Sequence, residues 1–298
     1  MAKRRQKNKN GFIGILTLIV VIIASLLFGG DAEPGKFTNS FLSDSEAYVH
    51  FIDVGQGSAT LIQSKNKGIL IDTGEDDYGD YLVSYINSCG VDELEYVIAS
   101  HPHSDHIGGI IDVFEAFRVG AVVMPELSEK NIPTTRVYEN MMNYIFDNDM
   151  DVVFPEFGES IHMDGVSVSF YGPVEQNEDL NNMSLICKID ASGTDIMVLG
   201  DAEKEELSSV LPLMISKCES DVLVMGHHGS NTSVYKKFLN AVDADMAVIS
   251  CGRDNSYGHP HKEALSYVSQ NDMTLYRTDK DGDIVIRCYA DGYEVTVD

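Results

Sequence analysis

Seven of the nine histidines fall in three short stretches: His101, His103 and His106 in SHPHSDHIGG, His227 and His228 in MGHHGS, and His259 and His261 in SYGHPH. Imidazole nitrogens and carboxylate oxygens are the ligands that borderline divalent cations take. In HPHSDH, two histidines one residue apart in an extended turn can point their rings the same way. Asp105 and His106, at the start of the helix that follows, can face a neighbouring point. That spacing suits two cations of the Zn, Mn or Fe type lying close together, and the glycine pair after Ile107 lets the helix start pack close to them. A lone H-x-H would read as a histidine-rich surface loop; the added D-H between strand and helix argues against that. His50 and His162 stand apart, the first within a strand, the second on the solvent side of the ESIHMDGVSVSF hairpin.

The elements around these stretches explain how they could meet. From Glu46 onward, short apolar runs such as AYVHFIDVG, GILIDTG, YVIAS, DIMVLGD and DVLVMG read as strands. They alternate with helical stretches such as YGDYLVSYINSCG, GGIIDVFEAFR and AEKEELSSVLPLMI. A looser repeat runs through them. SATLIQSKNKGILIDTG, a helix and YVIASHPH are echoed by SLICKIDASGTDIMVLGDAE, a helix and DVLVMGHHG. Each unit is strand, turn, strand ending at Asp, helix, and strand ending at His, with 29 residues from Asp72 to His101 and 26 from Asp201 to His227. Two such units predict an α/β fold with sheet packed on sheet and helices outside, the Asp- and His-bearing strand ends meeting along one edge.

HPHSDHIGG resembles the H-x-H-x-D-H signature of the metallo-β-lactamase superfamily, whose fold is the duplicated αββα sandwich. The resemblance makes Asp72 in ILIDTG a support of the ligand loop through hydrogen bonds. It makes Asp201 in VLGDAE a carboxylate bridging two metals. His227 or His228 completes the second metal site, and the sequence does not choose between them. HFIDVGQGSATLI, LNNMSLICKI, VMGHHGSNTSV and ISCGRDNSYGHP together are similar to the extracellular hydrolase domain of ComEC-type competence proteins, and also to phosphorylcholine esterases. This likeness runs from about Tyr48 to Asp298. Two positions depart from it. Where most of the superfamily offers a third histidine to the first metal, LNNMSL has Asn181, and GQGSA carries Ser58 where ComEC domains have Asp.

The resemblance implies one or two divalent ions, Zn²⁺ or Mn²⁺, held by His101, His103, Asp105, His106, Asp201 and His227 or His228. Water bound there falls from a pKa of about 15.7 to about 7, giving hydroxide at neutral pH. Asp105 would orient that water and accept its proton. His259 would stabilise a phosphate oxygen or protonate the leaving group, with Asn181 and the weaker Tyr257 nearby.

The N-terminus sets a location. MAKRRQKNKN carries five basic residues and no acid, and the 17 residues Phe12 to Phe28 carry no charge. Such a run is about the minimum to cross roughly 30 Å of hydrocarbon, and its basic flank predicts a cytoplasmic tail. The expected order is a tail over 1–11, a transmembrane anchor over 12–28, a Gly/Pro/Ser-rich linker over 29–45 and an extracytoplasmic hydrolase domain over 46–298. Cleavage of a signal peptide, giving a secreted protein, is the alternative. Beyond the tail, 16 Lys and Arg face 47 Asp and Glu, about −31 in all. That field repels nucleic acid unless a local basic patch or bound cations reverse it, although solubility alone would account for it. Five scattered cysteines without a C-x-x-C pair do not form a disulfide framework.

The sequence therefore predicts a membrane-anchored metal-dependent hydrolase, a phosphodiesterase acting on DNA or a cell-surface phosphodiester polymer. A lactone or lactam hydrolase, or a surface binding module that keeps the fold without turnover, are the alternatives.

Overall fold

Alternation along single strands builds the layers. The computed structural model describes residues 46–298. Its first half holds β1 (Ala47–Phe51), β2 (Thr60–Ser64), β3 (Lys67–Ile71), β4 (Glu93–Ile98), β5 (Arg118–Val123) and β6 (Val152–Val153). With them come α1 (Gly79–Ser88), α2 (Ser104–Ile107), α3 (Ile110–Ala116) and α4 (Arg136–Asp147). On β3, Ile69 and Ile71 enter the core between the sheets while Leu70 packs under the helices with Leu82, Ile86 and Met141. Successive side chains point to opposite faces, so a strand covered on both sides is apolar throughout.

The second half repeats the plan with β7 (Ser160–Met163), β8 (Val166–Phe170), β9 (Cys187–Ala191), β10 (Thr194–Val198), β11 (Val222–Val224), β12 (Met246–Ile249) and β13 (Thr274–Arg277). Its helices are α5 (Lys204–Met214), α6 (Lys236–Val242), α7 (Lys262–Gln270) and the short α8 (Thr278–Asp281). Ile196 and Val198 of β10 face the first sheet, and Met197 between them meets Leu207, Leu223 and Phe238. Each half is an antiparallel meander that continues in parallel strands through helical crossovers. The hairpin turns follow from composition: Asp164-Gly165 and Ser192-Gly193 both take positive φ, as a two-residue turn between twisted strands demands.

The result is the four-layered αββα sandwich expected from the repeat. One element was not expected. The C-terminal hairpin of β14 (Ile284–Tyr289) and β15 (Gly292–Val297) crosses back to the first sheet, where β14 pairs antiparallel with β1. The sheet orders are β15-β14-β1-β2-β3-β4-β5-β6 and β13-β12-β11-β10-β9-β8-β7. All five cysteines are free and buried, Cys187 and Cys288 between the sheets. The tail, anchor and linker expected over 1–45 lie outside the described residues. Among the described residues no helix is long and apolar enough to cross a membrane.

Glu206 on α5 is buried, and its Oε1 accepts the Val174 N–H at 2.9 Å. Burial pushes its carboxyl up to about 7, with Glu175 and Glu205 adding to the shift and the Val174 N–H opposing it. In the unfolded chain a Glu ionises near about 4.3. Between those values the folded chain keeps a proton that the unfolded chain has released. The stability tied to this residue is therefore full below about pH 4 and is lost as pH rises through about 7. Urea denaturation from about pH 5 to about pH 8 should show wild type losing roughly 1–3 kcal/mol relative to Glu206→Gln. Parallel stability curves for the two proteins would refute this.

Candidate metal centre and cleft

The parallel strands β3, β4, β10 and β11 end on one edge, and each hands a chemical residue to it. After β3, Asp72 adopts φ +60, a left-handed conformation uncommon outside glycine. Its carboxylate is buried and accepts the Ser100 N–H at 2.7 Å and the Ser100 hydroxyl at 2.8 Å. It also accepts from His106 Nδ1 at 2.7 Å. That bond places the Nδ1 proton and leaves Nε2 of His106 facing Asp201, 3.2 Å from Oδ1. Nε2 is buried and makes no well-directed hydrogen bond there, its contact with Asp201 being an ion pair. Asp105 and His106 ride on α2, a single turn separate from α3, rather than on one continuous helix. Between the two turns, Gly108 lies so close to the β3–α1 loop that a Cβ would come within 2.3 Å of the Asp76 nitrogen.

His101, fully buried, follows β4 and brings Nε2 to 3.0 Å from His103 Nδ1 and 3.8 Å from Asp201 Oδ2. Asp201 is itself buried after β10, its N–H donating to Ser184 Oγ at 3.0 Å. Ser184 closes the N-x-x-S stretch begun by Asn181, and the next residue ties the halves together by Leu185 N–H to Ser100 O at 2.9 Å.

The two histidines after β11 both take φ above +50 and diverge. His228 donates from Nδ1 to the Ser250 carbonyl at 2.9 Å and presents Nε2 to Asp105 Oδ2 at 3.2 Å. His227 is partly exposed; its Nε2 lies 3.6 Å from Asp201 and its Nδ1 3.3 Å from Glu203. Donor atoms of Asp105, His106, Asp201 and His228 all lie within 4.8 Å of one another. Of the adjacent pair left open by the sequence, His228 enters this group and His227 flanks it.

Charge in this group is balanced internally. Burial opposes a charge on His106, but the Asp201 and Asp72 carboxylates outweigh it and hold the imidazole well above its ordinary range. For His228, burial is likewise outweighed by Asp201 and Asp105, which raise it. Burial and the neighbouring His106 keep His101 well below the ordinary range. Burial would raise both Asp105 and Asp201, yet surrounding imidazoles pull each carboxyl below the usual carboxylate range. Two carboxylates and two imidazoles with donors converging within 4.8 Å fit a divalent cation.

An open cleft of roughly 470 Å³ lies over the group, lined by His103, Asp105, Asp201, His227 and His228. Asn181, Tyr257 and His259 are in its wall, as is Gln56, which was not foreseen. Asn181 Oδ1 is buried without a partner, whereas the adjacent Asn182 turns inward and accepts the N–H groups of Glu203 and Glu206 at the start of α5. The ring of His259 stacks on exposed Tyr257. Its Nδ1 is buried and unpartnered, and burial together with His228 and His227 lowers it to about 4. Gln56 accepts the Gly252 N–H at 3.0 Å, a contact between distant loops that no local pattern announces.

Asp72→Ala removes the acceptor that orients His106. Zn²⁺ affinity measured by competition with a chromophoric chelator should fall about 10- to 100-fold. Unchanged affinity in a folded variant would show that Asp72 does not orient a ligand.

Comparison with known proteins agrees with this geometry. Competence protein ComA of Neisseria gonorrhoeae is 33% identical over 249 residues, covering 80% of this chain and 32% of that protein. ComE operon protein 3 of Bacillus subtilis is 26% identical over 265 residues, covering 82% and 33%. The chain thus spans about a third of the length of these curated relatives. Among solved structures, the metallo-beta-lactamase fold protein YhfI of Bacillus subtilis superimposes with a TM-score of 0.55 at 13% identity, over 81% of this chain and 100% of that one. Residues 52–253 match the metallo-beta-lactamase superfamily, which is in general one of metal-dependent hydrolases, and the stretch takes in the whole donor group together with Asp72: the chain belongs to that superfamily.

Proposed function

We propose that this protein is a divalent-metal-dependent phosphodiesterase, with Zn²⁺ or Mn²⁺ as its ion, acting outside the membrane on DNA or a cell-surface phosphodiester polymer. The observation that carries the reading is the convergence of Asp105, His106, Asp201 and His228 beneath an open cleft. His101 and His103, with Nε2 and Nδ1 3.0 Å apart, offer a second, smaller donor set beside Asp201. A divalent cation held there supplies acidified water and polarises a phosphoryl oxygen.

The remaining work belongs to the side chains. Asp201 reaches both donor sets, lying against His101 as well as His106 and His228, and so fixes their separation. Asp105, at the cleft floor and hydrogen-bonded to His228, orients the attacking water and takes its proton. His259 stands in the cleft wall with its imidazole held low by burial and by His228 and His227, and its ring holds a phosphoryl oxygen or the leaving group. The exposed ring of Tyr257 forms the outer wall beside it. The extracytoplasmic placement is supported by the basic tail and the uncharged run Phe12 to Phe28, and the substrate class by the competence-related homologues.

The purified full chain should hydrolyse bis-p-nitrophenyl phosphate when Mn²⁺ or Zn²⁺ is supplied and stop when a chelator removes it. Asp105→Ala should lower kcat/KM about 10²- to 10⁴-fold. No turnover with either metal in a folded, metal-loaded protein would overturn the phosphodiesterase reading and turn attention to lactones, lactams and binding without turnover.

A further inference from the structure

The second half carries a pocket that the metal centre does not use. Lys204, Lys236 and Lys262 line it, with Asn231, Ser266 and Glu263. All three lysines are exposed, and none makes an ion pair among the described residues, although Asp and Glu number 47 in the chain against 21 Lys and Arg. Of the acids around the pocket, Glu203 faces His227 at 3.3 Å and Glu206 is buried against Val174, while exposed Glu205 and the lining residue Glu263 form no ion pair with the lysines. Each lysine is also the first residue of a helix, of α5, α6 and α7. A positive charge there opposes the helix dipole, so helix stability does not account for the cluster.

The pocket is joined to the cleft by sequence and by hydrogen bonds. Lys204 stands three residues after Asp201, Asn231 three after His228, and Lys262 three after His259. Cα atoms three residues apart are separated by at most about 11 Å. His261, the histidine that the metal centre leaves aside, braces the wall between the two. Its Nδ1 accepts the Asn231 N–H at 3.0 Å, its own N–H donates to Gly229 O at 2.9 Å, and its ring meets that of His259.

We propose that this lysine pocket is a phosphate subsite, holding a second phosphodiester of the substrate chain while a neighbouring one lies at the metal centre. The inference rests on the phosphodiesterase reading, and it makes the substrate a polymer rather than a single diester. Three ammonium groups without carboxylate partners are the local basic patch that an acidic domain needs in order to hold a polyanion.

The test uses the full chain and the triple variant Lys204→Gln, Lys236→Gln, Lys262→Gln. Because the lysines are exposed and oppose their helices, Tm should be unchanged or slightly raised. The ratio of kcat/KM for oligothymidylate to that for bis-p-nitrophenyl phosphate should fall about tenfold. In an Asp105→Ala background, where the chain is bound without being cut, the slope of log affinity for oligothymidylate against log salt should shrink by about 2. A parallel series with a glycerol-phosphate oligomer separates the sources. Loss with both polymers means that the phosphate alone is read, and loss with one names the chain. An unchanged ratio and slope with both, in a folded variant, would overturn the subsite. If wild type cleaves no diester the phosphodiesterase reading falls, and the binding slope still decides the pocket.

Discussion

Two carboxylates, Asp72 and Asp201, are buried where the strand ends of the two sheets meet, and their ion-pair partners are imidazoles, not lysines or arginines. Taking a carboxylate out of water costs several kcal/mol unless it is paired and hydrogen-bonded. His106 is the joint in that arrangement. It gives one nitrogen to Asp72 at 2.7 Å and brings the other to 3.2 Å from Asp201. Both carboxylates raise His106, so the surroundings favour positive charge at this point. A divalent cation would supply that charge with better directionality and displace protons as it entered.

The fold exists to bring those groups to one edge without loss of precision. Parallel strands deliver their C-terminal ends together, and duplication does so twice, so that Asp72 and His101 come from one sheet and Asp201 and His228 from the other. Sheet register alone does not aim the side chains. Asp72, His227 and His228 all sit in the left-handed region, a backbone state that non-glycine residues adopt at a cost of order 1–3 kcal/mol. Hydrogen bonds hold them there: Ser100 to Asp72 and His228 to Ser250 within the halves, Leu185 to Ser100 and His228 to Asp105 between them. Tyr257 and Asn181 occupy the cleft walls beside these groups.

Much of this was legible in the sequence because its signals are local. The spacing H-x-H-x-D-H, the Asp-helix-His repeat and the apolar strands each occupy a short window, and the sandwich follows from them. Helix α1 falls where YGDYLVSYINSCG predicts it. What stayed hidden depends on long-range geometry. Choosing His228 over His227 takes the divergence of two left-handed residues and the carbonyl of Ser250, 22 residues away. Gln56 reaches the cleft through a bond to Gly252, 196 residues away. The expected helix after His106 is broken into α2 and α3 at a glycine pair pressed against another loop. The return of β14 to β1 leaves no trace in either strand, since an apolar strand does not say which sheet edge it will cover. Asn181 and Asn182 differ by one place in the chain and by their whole role, one on the cleft wall and the other capping α5.

The anionic substrate proposed for so acidic a domain would be excluded if charge acted at any distance. At physiological ionic strength charges separated by more than about 8 Å in solvent are largely screened from each other. The carboxylates on the outer helices, such as Glu139 and Asp147 of α4, keep the domain soluble and discourage loose contact with polyanions over most of its surface. On the proposed reading, binding would be decided by charges within reach of the bound chain: cations at the metal centre and the lysines that no carboxylate neutralises. A uniformly basic surface would hold a polyanion anywhere and in any register. On that reading a repulsive surface with one compensated cleft would admit it only where the diester meets Asp105 and Asp201, so the excess of negative charge would work for positioning rather than against binding.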